Sequence, residues 1–266
     1  MKRAFAARGF SCSQTKACPN AARGFTLAEV LITLTIIGVI AAITIPNLMQ
    51  VWKKHEVEVG VKEAYSILAN TLKMAQAEGD GGISDMVETA FKLNSDQYDA
   101  YTYFTEKYLL PYLKYTKTCN VSVSQAECGI FTDTILKEID GRQTSAGSLH
   151  SDYRYRVLLQ NGMFLSVGNS RAGTGPITFH FDINGGKGPN KIAHDIFFFT
   201  IQGTTCTNSN DYYCPQKDFI IGGYEGTSKH VYDSADLCTT ANGGDCAVFI
   251  QKNGWKIPDN YPVKKW

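Results

Sequence analysis

The apolar positions of this chain fall into three regimes. From Val30 to Met49, twenty consecutive residues carry no charge. At 1.5 Å per residue a helix of that length covers about 30 Å, enough to cross the hydrocarbon core of a bilayer. Beyond it Val57, Val61, Ala64, Leu68, Leu72 and Ala75 recur every three or four residues, with Tyr65 alongside. Lys53, Lys54, Glu56, Glu58, Lys62 and Glu63 supply the polar side. That period predicts a helix continuing with one apolar face, stopped by Gly79-Asp80-Gly81-Gly82. Phe25 to Glu78 reads as one rod of about 80 Å, able to bend at Pro46. Its first half suits lipid or other rods, its second half a globular head. The strict heptads of a coiled coil are not sustained.

The third regime, residues 79–266, has an α+β pattern. Tyr101, Phe104, Tyr108 and Leu109 predict a shorter helix ending near Pro111. Tyr153–Gln160 and Met163–Val167 flank Asn161-Gly162, a two-residue hairpin signal. Ile177–Ile183 and Asp195–Gln202 read as two further strands. A small antiparallel sheet packed on the long helix buries both apolar faces, and the tail around Trp255–Pro262 is placed to cover the sheet edge.

Charge then divides the chain. Overall, 26 basic residues balance 25 acidic ones, which excludes a generally basic nucleic-acid binder. Residues 1–24, however, hold Lys2, Arg3, Arg8, Lys16 and Arg23 and no acid, leaving 21 basic against 25 acidic, a net of −4, for the remainder. A basic flank before an apolar span keeps the N-terminal side in the cytoplasm and exports the bulk. A conventional signal peptide cut near Val39-Ile40-Ala41 fits poorly with the long polar leader and with Glu29. A lipoprotein anchor needs an apolar run before its cysteine, and Cys12 and Cys18 have none.

A third reading rests on the junction Arg23-Gly24-Phe25-Thr26-Leu27-Ala28-Glu29 and the span that follows. Here the chain resembles the type IV pilins and the pseudopilins of type II secretion. The resemblance implies a prepilin leader, residues 1–24, removed by a prepilin peptidase between Gly24 and Phe25, with N-methylation of Phe25. It implies that Glu29, fifth in the mature chain, serves assembly, and that Pro46 kinks the helix. Residues 25–50 then form the transmembrane and assembly half of the helix, 51–78 its amphipathic half and 79–266 the head. A carboxylate in mid-membrane costs on the order of 2.5–3.5 kcal/mol on insertion scales. The amine of a neighbouring Phe25 would offset it in a fibre; the alternative leaves Glu29 at headgroup level. The fold so implied, pilin-like α+β, agrees with the pattern.

Removing the leader leaves six cysteines in three local couples: Cys119 and Cys128, Cys206 and Cys214, Cys238 and Cys246. Export to an oxidising compartment makes disulfides the expectation, and proximity favours the sequential pairing among fifteen connectivities. Asp182 and Asn184, two apart before a glycine turn, are candidate calcium ligands. Lys187 and the missing twelfth-position glutamate favour instead a hairpin loop whose Asp and Asn bond their own backbone. No other cofactor is expected. The five histidines stand in no metal-binding pair, and no nucleophile-elbow or phosphate-loop motif occurs.

The expected function is therefore non-enzymatic: a pilin or pseudopilin subunit of a filament or secretion pseudopilus. Its expected partners are other subunits, prepilin peptidase and an inner-membrane assembly platform. The subunit begins as a single-pass inner-membrane protein with its head outside the cytoplasm, and then enters the filament. The alternative is a minor tip pilin acting as an adhesin or DNA-uptake module, although the −4 mature charge disfavours nucleic acid.

Overall fold

The computed structural model describes residues 24–79, 81–94, 96–123, 125–130, 136–143, 155–168, 177–201, 238–239, 243–244, 246–264 and 266. The chain divides into a unit ending at Leu48 and a second unit, Met49–Trp266. Helix α1, Leu27–Ala77, begins in the first and ends in the second.

Among the described residues of the first unit every large apolar side chain is exposed, Leu31, Ile36, Val39 and Leu48 among them. Thr33, Thr35 and Thr44 donate their hydroxyls to the carbonyls of Val30, Leu31 and Ile40 at 2.8–2.9 Å. These three hydroxyls are therefore satisfied within the helix, which leaves its apolar groups outermost. Pro46 lies inside α1, where it can give no N–H to the carbonyl of Ala42.

In the second unit, α1 buries Val57, Val61, Ala64, Leu68, Leu72 and Ala75, the stripe that the 3.6-residue period sets out. Glu58 corrects the sequence reading. It is assigned to the polar side, yet it is only 7% exposed, because position 58 precedes Val61 by three and shares its face. Gly79, at φ 103°, turns the chain after α1, its N–H bonded to the carbonyl of Gln76. Helix α2 (Ile83–Leu93), which the sequence reading missed, follows, then α3 (Gln97–Phe104), continued by a π-helical turn, Thr105–Leu109.

Five strands form an antiparallel meander in chain order: β1 (Tyr115–Cys119), β2 (Tyr155–Leu159), β3 (Phe164–Gly168), β4 (Ile177–Asp182) and β5 (Ile196–Ile201). β1 is a further strand that the reading did not find. A short helix, α4 (Gln125–Cys128), separates β1 from β2. The register sets Val157, Leu165, Phe181 and Phe197 in one row and Tyr155, Val167, Phe179 and Phe199 in the next, on the same face. That face meets the helices: Phe199 lies 6.4 Å from Tyr65 of α1, and Phe179 lies 6.4 Å from Phe104 of α3. At the β2–β3 turn Gly162 takes φ 88°, and Asn161 reaches back to Glu63 of α1 at 2.8 Å.

Helix α5 (Cys246–Lys252) packs on β5, and the tail after it seals the core. Lys256 Nζ and the Ile257 N–H both bond the carboxylate of Glu58, at 2.9 and 3.0 Å. The Tyr261 hydroxyl donates to the carbonyl of Ala193 at 2.7 Å. The tail therefore holds α1 and the β4–β5 connection. The molecule is an α+β, pilin-like fold: a long N-terminal helix, a five-stranded antiparallel sheet and disulfide-bonded loops.

Candidate functional site

Two places collect the residues singled out by chemistry. At the first, Gly24, Phe25 and Thr26 precede α1 without helical structure. The Thr26 N–H and hydroxyl both donate to Glu29 Oε2 at 2.8 Å, and the Glu29 N–H donates to Thr26 Oγ1 at 3.2 Å. This reciprocal capping box closes the helix start directly after the Gly24-Phe25 bond. Sequence reasoning missed it, although Thr-x-x-Glu before an apolar run is its signature. Glu29 is thus held within its own chain, while Phe25 and Leu27 are 86% and 81% exposed. Among the described residues α1 is long and apolar enough to cross a membrane.

The cysteines near the sheet are bridged in two couples. Cys119 at the end of β1 joins Cys128 of α4, with α-carbons 5.8 Å apart, and Cys238 joins Cys246 at the start of α5, at 4.6 Å. Cys206 and Cys214, like Cys12 and Cys18 of the leader, lie outside the described residues.

At the second place, the β4–β5 connection, Asp182 accepts the Asn184 N–H at 3.2 Å. Asp195, which the sequence reading left outside the candidate pair, returns to the same loop. It accepts the N–H groups of Asn190 and Lys191 at 2.7 and 2.5 Å and the Asn184 side-chain amide at 3.3 Å. Both carboxylates are buried. Burial and the charge of Asp195 push Asp182 up to about 8. Burial also raises Asp195, against the N–H donors of Lys191, Asn190 and Asn184 that favour its charged form. Next to them, burial and then Lys191 and Lys53 lower His194 to about 4, which leaves its ring neutral against Trp266 at 5.0 Å. Among the described residues no group of three or more His, Cys, Asp or Glu side chains gathers to hold a metal.

Comparison with known proteins bears on the whole chain. Residues 47–265 match a family described as a family of unknown function (DUF6613). The chain belongs to that family. Residues 19–45 match the prokaryotic N-terminal methylation motif, which brackets Gly24, Phe25, Glu29 and most of the apolar run. The motif identifies a type IV pilin-like protein, and the domain beyond it is of unknown function. No curated protein and no solved structure matches.

Proposed function

We propose that this chain is a non-enzymatic structural subunit of a type IV pilus-like filament or a type II secretion pseudopilus. Prepilin peptidase cuts between Gly24 and Phe25, Phe25 is methylated, and the subunit waits in the inner membrane with its head on the outer side. An assembly platform then packs it against other subunits through the first half of α1. The observation that carries this reading is the methylation motif at residues 19–45, coinciding with a capped helix whose apolar surface is exposed on all sides. An apolar surface of that extent is suited to lipid or to other helices. Pro46 fits a bend in the helix as it packs.

Mass spectrometry of the protein from cells with an active prepilin peptidase tests the processing step. A mature chain starting at methylated Phe25 is expected; a start at Met1 or at Ala42 overturns the reading. Glu29 then separates cap from charge. Glu29→Gln keeps an oxygen for Thr26 and removes the carboxylate, so cleavage should continue while filament incorporation fails. Incorporation at the normal level by Glu29→Gln removes the charge-pairing role. The 188-residue span of the head, 79–266, favours a second reading as a tip subunit. Copies along the filament shaft mark the first role, and a few terminal copies the second.

A further inference from the structure

Three segments of the second unit meet around His194, and each carries lysine. Residues 52–55 stand on α1, residues 191–194 close the β4–β5 connection, and residues 256–266 form the tail. The His194 N–H donates to the Lys191 carbonyl at 3.1 Å, and the His194 ring lies 5.0 Å from Trp266. Trp266 stacks on Tyr261 at 5.9 Å, and the Tyr261 hydroxyl returns to Ala193. Lys256 reaches α1 at Glu58. After burial, the charges of Lys191 and then Lys53 keep the His194 ring neutral, so α1 and the connection share one positive field there.

The surface of this cluster is basic although the chain after residue 24 is net −4. Lys53, Lys256 and Lys264 are exposed and Lys191 is half-buried. The adjoining carboxylates Glu58 and Asp195 are buried, and Glu58 is already taken by Lys256 and Ile257. Glu56 and Asp259 are the exposed acids in or next to the three segments. Beyond the other end of α1 the arrangement differs, because Lys92 of α2 is paired with Glu88 at 2.8 Å.

Indole rings accompany these lysines. Trp52 is 62% exposed, and Trp266 is half-buried against its ring partners. Tryptophan and lysine beside an apolar span settle at headgroup level, the indole at the boundary and the ammonium on lipid phosphate. Position names the partner. Trp52 stands three residues beyond Met49 on the same helix, where the apolar run ends, so a span in the bilayer delivers this segment to its surface. Nucleic acid offers the same phosphates, but the net negative chain gives it no long-range attraction.

Resting on the reading of α1 as a membrane anchor, we propose that this face of the head docks on the anionic phospholipid headgroups of the bilayer in which the subunit waits. Lys53, Lys191, Lys256 and Lys264 supply the charge, and Trp52 and Trp266 the interfacial rings. Entry into a filament then exchanges lipid phosphate for other partners, and the anionic lipid content sets how readily a subunit leaves.

Lysine acetylation of the full chain in nanodiscs, read residue by residue by mass spectrometry, tests this. The discs are phosphatidylcholine alone or an equal mixture with phosphatidylglycerol. Co-elution with phosphatidylcholine discs checks the anchor first; a chain that stays outside them overturns the anchored reading and the docking with it. Once the chain is incorporated, Lys53, Lys191, Lys256 and Lys264 should react about fivefold more slowly in the anionic discs. Lys73, about 30 Å further along α1, and Lys92 should keep their rates, and high salt should abolish the difference. Lys53→Gln combined with Lys264→Gln, neither a partner of Glu58, should restore most of the rate at Lys191 and Lys256. Equal rates in both discs overturn the docking and leave the anchor standing. Equal slowing of Lys73 and Lys92 overturns it as well, because the lipid then acts on the head without regard to face. Duplex DNA that protects the same lysines as strongly in phosphatidylcholine discs assigns the face to nucleic acid instead.

Discussion

Glu58 is a charged side chain with almost no exposed surface, and its surroundings explain how it is tolerated. Burial alone would raise it, but Lys256, the Ile257 N–H and His55 together hold its carboxyl below the usual carboxylate range. Lys256 and His55 are each 62% exposed, so solvent screens much of the ionic part; the backbone donor of Ile257 is the part that matters. Glu58→Ala leaves that buried N–H without its acceptor and should cost about 1–3 kcal/mol in urea unfolding at pH 7. The sign with pH follows from linkage. A folded value below the unfolded one, about 4.3 for Glu, means that the stability is fully present above that range and is lost as pH falls through the folded value. Glu58→Gln should therefore flatten the fall in stability between neutral pH and about pH 3; an unchanged acid slope would refute the assignment. Sequence alone could not find this role, because the partners lie 198 and 199 positions away.

Among the elements, two junctions set the architecture. α1 approaches the β4–β5 connection at Gly60, where an added Cβ would lie 2.9 Å from Ile183 Cδ1. Alanine gains about 1 kcal/mol of helix propensity over glycine, and overpacking costs about 1–3 kcal/mol. Gly60→Ala should therefore be neutral to mildly destabilising alone, and stabilising when combined with Ile183→Val, as read from melting temperatures. The second junction is the Cys238–Cys246 bridge, which closes a loop onto the start of α5. Replacing both cysteines by serine should cost about 2–4 kcal/mol, and reduction should lower the melting temperature of the parent and not add to the loss in the variant for that bridge. Elements with a strong period were legible: the stripe of α1, the Asn161-Gly162 hairpin, and the alternating Thr178-Phe179-His180-Phe181 of β4. Those missed lacked such a signal. β1 reads Tyr-Thr-Lys-Thr-Cys, is mostly exposed, and pairs with a strand some forty residues later. α5, seven residues long, is too short to display a helical period. The candidate loop was half legible: the Asp182–Asn184 spacing could be seen, but Asp195 joins it only through the pairing of β4 with β5.

At the scale of the whole molecule, the N-terminal signal was legible because it is local: a glycine, an aromatic residue, a spaced acid and an uncharged run. The head offers no comparable motif, since its chemistry rests on residues gathered by the sheet. The grip of Lys256 and Ile257 on Glu58 has a further consequence in time. Glu58 leaves the ribosome early, and its acceptor groups wait for donors made 198 residues later, about 10–40 s at ordinary rates of synthesis. During that interval, of the partners named for Glu58, only His55, three residues before it, is present. A chain interrupted before Lys256 lacks both of these donors, so the tail's hold on α1 forms only once the C-terminal segment has been made.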